Sequence, residues 1–98
     1  MTTKHAILTA LRSHKSQLAA LGVRRIGLFG SYARDEQQPR SDIDILVEFD
    51  PAQKTFDNFM NLYDFLEELF AGEKIEVVTT NGLSPYIGPH VLKEVTYV

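Results

Sequence analysis

Leu28-Phe29-Gly30-Ser31-Tyr32-Ala33-Arg34 and, with ten residues intervening between Ser31 and Asp42, Asp42-Ile43-Asp44-Ile45-Leu46-Val47-Glu48-Phe49 are the stretches that decide how this chain is read. In the first, a short apolar, β-capable run from Arg25 to Phe29 stops at glycine and serine, after which Tyr32-Ala33-Arg34 can open a helical turn. A strand that runs into such a turn presents free backbone N–H groups to an anion. Glycine lets that anion approach closely, and the Ser31 hydroxyl adds a further donor. In the second stretch side chains alternate across the strand, so Asp42 and Asp44 emerge on one face about 7 Å apart. Two such carboxylates repel unless a positive charge lies between them, and Mg²⁺ takes oxygen ligands and commonly bridges to substrate phosphates. Each piece alone also has an ordinary explanation. Gly-Ser is a frequent turn dipeptide, and Asp-x-Asp can be a loop cap followed by a solvated edge carboxylate.

Outward from these stretches the chain divides into short periodic segments. Ile7, Leu8, Leu11, Leu18 and Leu21 share one face at helical spacing and predict a helix over residues 4–21, closed by Gly22. After the polar loop Asp35 to Arg40, the run from Ile43 to Phe49 is rich in β-branched residues and ends at Asp50-Pro51, the mark of a strand. Phe56, Phe59, Met60, Tyr63, Leu66 and Phe70 recur every three or four residues and predict an amphipathic helix ending near Ala71-Gly72. A third strand is predicted from Lys74 to Thr79. Ser84-Pro85 then reads as an N-cap followed by proline at the first helical position, leading towards Val98 with Gly88-Pro89 as an interruption. The order α, β, short α, β, α, β, α predicts an α/β (α+β) fold: a small mixed β-sheet of about three strands with helices packed on it. About a dozen residues and a helical turn separate the first two strands, so a tight hairpin is disfavoured and a mixed or parallel sheet expected.

Ninety-eight residues with 44% apolar content suit one domain, residues 1–98, with a single core. So small a chain leaves little room for a lid over a second substrate, so part of any acceptor site is expected to come from another molecule. There is no cysteine, hence no disulfide and no thiolate metal site, and no apolar run approaches the ~18 residues of a membrane span. No membrane association and a cytoplasmic location are expected. A net charge of −3 argues against an extended nucleic-acid surface. His5, His14 and His90 lack metal-ligand spacing and read as surface or boundary residues, and Lys15, Arg24 and Arg25 as solvated charge. The stripe Phe56, Phe59, Tyr63, Phe70 reads mainly as core packing, with part of it left over for a partner.

Taken together, Leu28-Phe29-Gly30-Ser31 and Asp42-Ile43-Asp44-Ile45 at their ten-residue spacing resemble the signature of the DNA polymerase β-like nucleotidyltransferase superfamily. Gly30-Ser31-Tyr32-Ala33-Arg34 with Ser41-Asp42-Ile43-Asp44-Ile45-Leu46-Val47 is more closely similar to the MNT (minimal nucleotidyltransferase) family, usually encoded beside a HEPN-domain partner in prokaryotic toxin–antitoxin pairs. The resemblance covers essentially the whole chain. It implies that Gly30 and Ser31 bind the β- and γ-phosphates of ATP, with Arg34 as a further nucleotide-binding residue. It also implies that Asp42 and Asp44 hold two Mg²⁺ ions, and that Glu76 supplies the third metal-binding and catalytic acid. Two departures stand out: the family more often has aspartate at the third acid, and it favours glycine where this chain has Asp35. The implied function is Mg²⁺-dependent transfer of AMP from ATP to a hydroxyl, a tyrosine, of a HEPN toxin, the two proteins forming a hetero-oligomer. The alternative is a non-catalytic antitoxin that neutralises its partner by steric occlusion.

Overall fold

In the computed structural model, which describes residues 2–98, the chain opens with helix α1, Lys4–Ser13. The Thr3 hydroxyl caps it, accepting from the Ala6 N–H at 3.1 Å, and Ile7 and Leu11 are its buried face. The single helix expected over residues 4–21 is broken at His14. The His14 N–H bonds to the Leu11 carbonyl, one residue short of helical spacing, while its ring Nδ1 lies 2.7 Å from the Ala10 carbonyl that the N–H would otherwise have used. The side chain thus substitutes for the backbone donor, and α2, Lys15–Ala20, starts afresh and ends at Gly22, whose φ is +89°.

Strand β1, Val23–Phe29, runs directly into the single turn of helix α3, Gly30–Ala33, and β2 follows as Ile43–Phe49. A 3₁₀ turn at Pro51–Gln53 leads into α4, Phe56–Leu69, capped by the Thr55 hydroxyl on the Asn58 N–H. Strand β3, Ile75–Thr79, is followed by α5, Gly88–Glu94, and a two-residue strand β4, Thr96–Tyr97. The sheet therefore has four strands, not about three, in the order β3-β2-β1-β4. It is mixed: β1 is antiparallel to both β2 and β4, while β2 and β3 are parallel, connected through α4 as a parallel pair requires. The Ser84-Pro85 expectation is corrected as well. Ser84 caps a preceding turn, its hydroxyl accepting from Ile87 and its carbonyl from Gly88, and the helix proper begins at Gly88-Pro89 instead of being interrupted there.

One sheet face is the core. Ile26, Leu28, Ile43, Ile45, Val47, Phe49 and Ile75 pack against Ile7, Leu11 and Leu18 from the first two helices and Leu62, Leu66 and Phe70 from α4. Of the aromatic stripe, Phe70 is buried and Phe59 and Tyr63 pack partly against this core, whereas Phe56 is 76% exposed. Leu46, on the other face of β2, and Val91 of α5 are buried outside the main cluster, and a Cβ on Gly27 would collide with Val95 and Tyr97. Asp44 lies on that second face, between the core residues Ile43 and Ile45. Because Leu66 is fully buried, Leu66→Ala is expected to lower the unfolding free energy by about 2–5 kcal/mol, read from urea denaturation midpoints at constant m-value. Among the described residues no helix is long and apolar enough to cross a membrane.

Candidate active site

The parallel pairing of β2 with β3 places Asp44 opposite Glu76, flanked by the pairs Ile43 with Ile75 and Ile45 with Val77. Two carboxylates from distant parts of the chain therefore stand side by side on one sheet face. Burial, then the charge of Glu76 and a hydrogen bond with it, then the charge of Asp42 push the Asp44 carboxyl up from 3.8 to about 6, against the opposing pull of Arg34. Asp42 stands one residue before β2, in the loop, and not within the strand as expected. There it borders a shallow depression of about 360 Å³ shared with Pro39, Arg40, Ser41, Glu73 and Lys74.

The Gly-Ser turn meets Asp44 directly. Gly30 has φ +76°, a left-handed conformation that side chains disfavour, and a Cβ there would overlap the Asp44 carboxylate oxygen Oδ2. The turn is held from below by Tyr32, which is 1% exposed and joins the core cluster. Burial foremost, then Glu73, keeps its phenol above the usual range, so it stays neutral. At the open end of α3 the first N–H groups have no intrahelical acceptor. The first of them, from Gly30, donates to Glu94 Oε1 at 3.0 Å, and those of Ser31 and Tyr32 follow at the same helix end.

Arg34 follows α3 and is tied to two acids: Nε donates to Glu36 Oε1 at 2.8 Å, and Nη1 to Glu94 Oε2 at 2.9 Å. Asp35 has φ +56°, so aspartate here takes up the left-handed position for which glycine is the commoner choice. That geometry returns the chain on itself, and the Glu36 N–H bonds to the Ser31 carbonyl at 2.8 Å. Gly30, Ser31, Arg34, Asp44 and Glu76 are thus gathered at one end of the sheet, with Asp42 alongside. Among the described residues, no three acidic or histidine side chains converge tightly enough to form a complete metal cage. A second cleft, about 260 Å³ between Arg24, Lys54 and Thr80, lies at the opposite end of β2 and β3, beside Phe49 and Thr79.

The polymerase beta nucleotidyltransferase model matches residues 13–98. This chain belongs to that family. It is 40% identical over 99 residues, all of this chain and 98% of the other, to the protein adenylyltransferase MntA of Thermococcus cleftensis. A solved structure described as a minimal nucleotidyltransferase superposes with a TM-score of 0.82 at 30% identity, covering 97% of this chain and 95% of that one. A crystal structure of a toxin–antitoxin with AMP-PNP aligns with a TM-score of 0.55 at 22% identity over 98% of this chain and 72% of that one, a likeness of fold alone.

For this nucleotidyltransferase one participant in the site escaped sequence reading. Glu94 arrives from α5, sixty-four positions from the Gly30 N–H it accepts from. No spacing rule connects residues so far apart. The one local hint is an acid in the last turn of a helix, where negative charge is disfavoured by the helix dipole and so calls for a compensating partner.

Proposed function

We propose that this chain transfers AMP from ATP to a hydroxyl group of a protein partner, with Asp42, Asp44 and Glu76 as its acidic centre and Gly30, Ser31 and Arg34 as its phosphate-binding residues. The observation that carries the reading is the contact of the Gly-Ser turn with Asp44, itself paired with Glu76. A phosphate cradle and a cluster of acids thereby share one small volume. A triphosphate would add still more negative charge, and Arg34 is already paired with Glu36 and Glu94. The oxygen-only donor set and the unfavourable ionisation of Asp44 fit a hard divalent cation, and Mg²⁺ is commonly held by one or two carboxylates with substrate phosphates and waters completing its shell. Asp42 and Asp44 would hold two such ions, with Glu76 at the edge of the set. When bound, they would neutralise charge on the phosphates and stabilise the leaving oxygen.

The chain's own groups account for the rest. The Ser31 and Tyr32 N–H groups at the start of α3, which Gly30 leaves open to close approach, and the Ser31 hydroxyl hold the β- and γ-phosphates, so that the α-phosphorus faces the carboxylates. The acceptor oxygen attacks that phosphorus, the bond to the β-phosphate oxygen breaks, and pyrophosphate leaves. The acceptor's proton passes to Glu76, the third acid, which the parallel strand register sets beside Asp44. The shallow, open ground beside Asp42 suits an acceptor presented by another protein more than a small substrate enclosed on all sides. The partner we assign is a HEPN-domain toxin with a tyrosine as acceptor. The protein adenylyltransferase name of the 40% identical relative supports a protein as the acceptor.

Incubation of the protein with α-labelled ATP, Mg²⁺ and the product of its neighbouring gene tests the reading through the intact mass of that neighbour. Increments of one or more AMP units are expected for the wild-type protein and none for the Asp42→Asn, Asp44→Asn double variant. Inhibition of the neighbour by both proteins without any mass change would replace transfer by steric occlusion.

A further inference from the structure

Glu94 spans two groups of the nucleotide turn with one carboxylate, Oε1 on the Gly30 N–H and Oε2 on Arg34 Nη1. We propose that Glu94 is a positioning residue of the nucleotide site, a two-pronged clamp that sets the Gly30–Arg34 turn and aims Arg34 at the β- and γ-phosphates. The inference rests on the nucleotidyltransferase reading above and adds to it a residue that acts through its neighbours.

The clamp is built on a rigid base. Glu94 lies between the buried Val91 and strand β4, which pairs with Gly27 and Leu28 of the strand that ends at Gly30. The Val98 N–H extends the same connection to the Ile26 carbonyl at 3.1 Å. The residue it grips needs holding: glycine at φ +76° has more freedom than any other residue type, and a charge-assisted bond to its N–H fixes the direction of the whole turn. Arg34 gains as well. Its side chain is 48% exposed, and Glu94 and Glu36 occupy Nη1 and Nε, which leaves the Nη2 donors and the second Nη1 hydrogen for phosphate.

A role confined to the stability of α5 does not account for this placement. An acid in the last turn opposes the helix dipole, and Glu94 makes its bonds to the turn beyond the helix. Burial works against its ionisation, but the Arg34 and Gly30 bonds and the charges of Arg34 and His90 outweigh it, so the carboxyl stays below its usual range and the clamp stays charged. A third possibility, a carboxylate that merely fills the phosphate position until nucleotide displaces it, makes the opposite prediction for affinity.

NMR titration of the wild-type protein, Glu94→Ala and Glu94→Gln with Mg·ATP and separately with AMP distinguishes these cases. The clamp requires Glu94→Ala to weaken Mg·ATP binding by about 10-fold or more, the scale for losing a residue that orients a ligand-binding group, while AMP, which lacks the β- and γ-phosphates, changes by less than about twofold. Glu94→Gln keeps one acceptor oxygen and is expected to fall between; it is isosteric and carries the same comparison if the alanine variant does not fold. Mg·ATP binding by the variants that equals or exceeds wild type overturns the clamp, as does an equal loss of ATP and AMP. A wild-type protein that binds no Mg·ATP overturns the nucleotide reading and the clamp with it, whereas wild-type binding with unaffected variants overturns the clamp alone.

Discussion

Asp44→Asn is expected to lower nucleotidyl transfer by about 10²–10³-fold, the scale for removing one preorganised electrostatic group at a reacting centre, while making the metal-free protein more stable at neutral pH. The two effects share a cause. In the folded chain the Asp44 pKa is about 6, above its ordinary 3.8, because burial and then Glu76 and Asp42 oppose ionisation. As pH falls, the folded protein takes up this proton near pH 6, whereas the unfolded chain takes it up only near 4. The carboxylate therefore destabilises the fold above pH 6, and the penalty fades between pH 6 and pH 4. With allowance for solvent screening of these partly exposed groups, the gain from Asn at pH 7.5 is ~1 kcal/mol, and at pH 4 it should vanish. Thermal unfolding in EDTA at both pH values reads it as a rise in Tm of roughly 4–8 °C at the higher pH only. Adding Mg²⁺ and ATP should reverse the order, since ligand binding stabilises the wild-type fold by about 2.7 kcal/mol at a hundred times Kd and the variant lacks the ligand group. A variant less stable than wild type in EDTA at pH 7.5 would mean that Asp44 is a structural acid and not a strained one.

Gly30→Ala is expected to be the most damaging single-methyl change in the chain. The left-handed backbone alone costs a non-glycine residue about 1–3 kcal/mol, and the new Cβ would in addition occupy the space of the Asp44 carboxylate, so Asp44 or the turn must move. Gly72 supplies the matched control: its φ is +88°, but nothing lies within 4 Å of an added Cβ. Both alanine variants should lose stability in urea denaturation by comparable amounts from the backbone, and only Gly30→Ala should also lose Mg·ATP binding. Equal ATP affinity in the two variants would detach the turn from the nucleotide site.

The signals that local sequence carries well are those with a fixed period or a fixed short spacing. β2 was legible, apart from the placing of Asp42, because an alternating, β-branched run is bounded by Ser41-Asp42 and Asp50-Pro51, and α4 because its apolar residues recur at helical spacing. The single helix read over residues 4–21 failed at His14, where a side chain displaced the backbone hydrogen bond, an event no apolar periodicity records. β4 has two residues, too few for any period, and exists only because the chain beyond α5 falls beside β1.

The site divides along the same line. Gly30, Ser31, Arg34, Asp42 and Asp44 lie within fifteen residues of one another, and the turn and strand that carry them are local structures, so sequence alone determined the family and nominated this half of the candidate site. The position of Glu76 beside Asp44 depends on the register of two parallel strands, and parallel pairing is fixed by how α4 packs across the sheet. Glu94 on Gly30 depends further on the chain returning through α5 to pair β4 with β1. Only the tertiary structure decided these, because contacts between distant segments are selected by burial of whole elements against a common core, and a local pattern names the element without naming its neighbour.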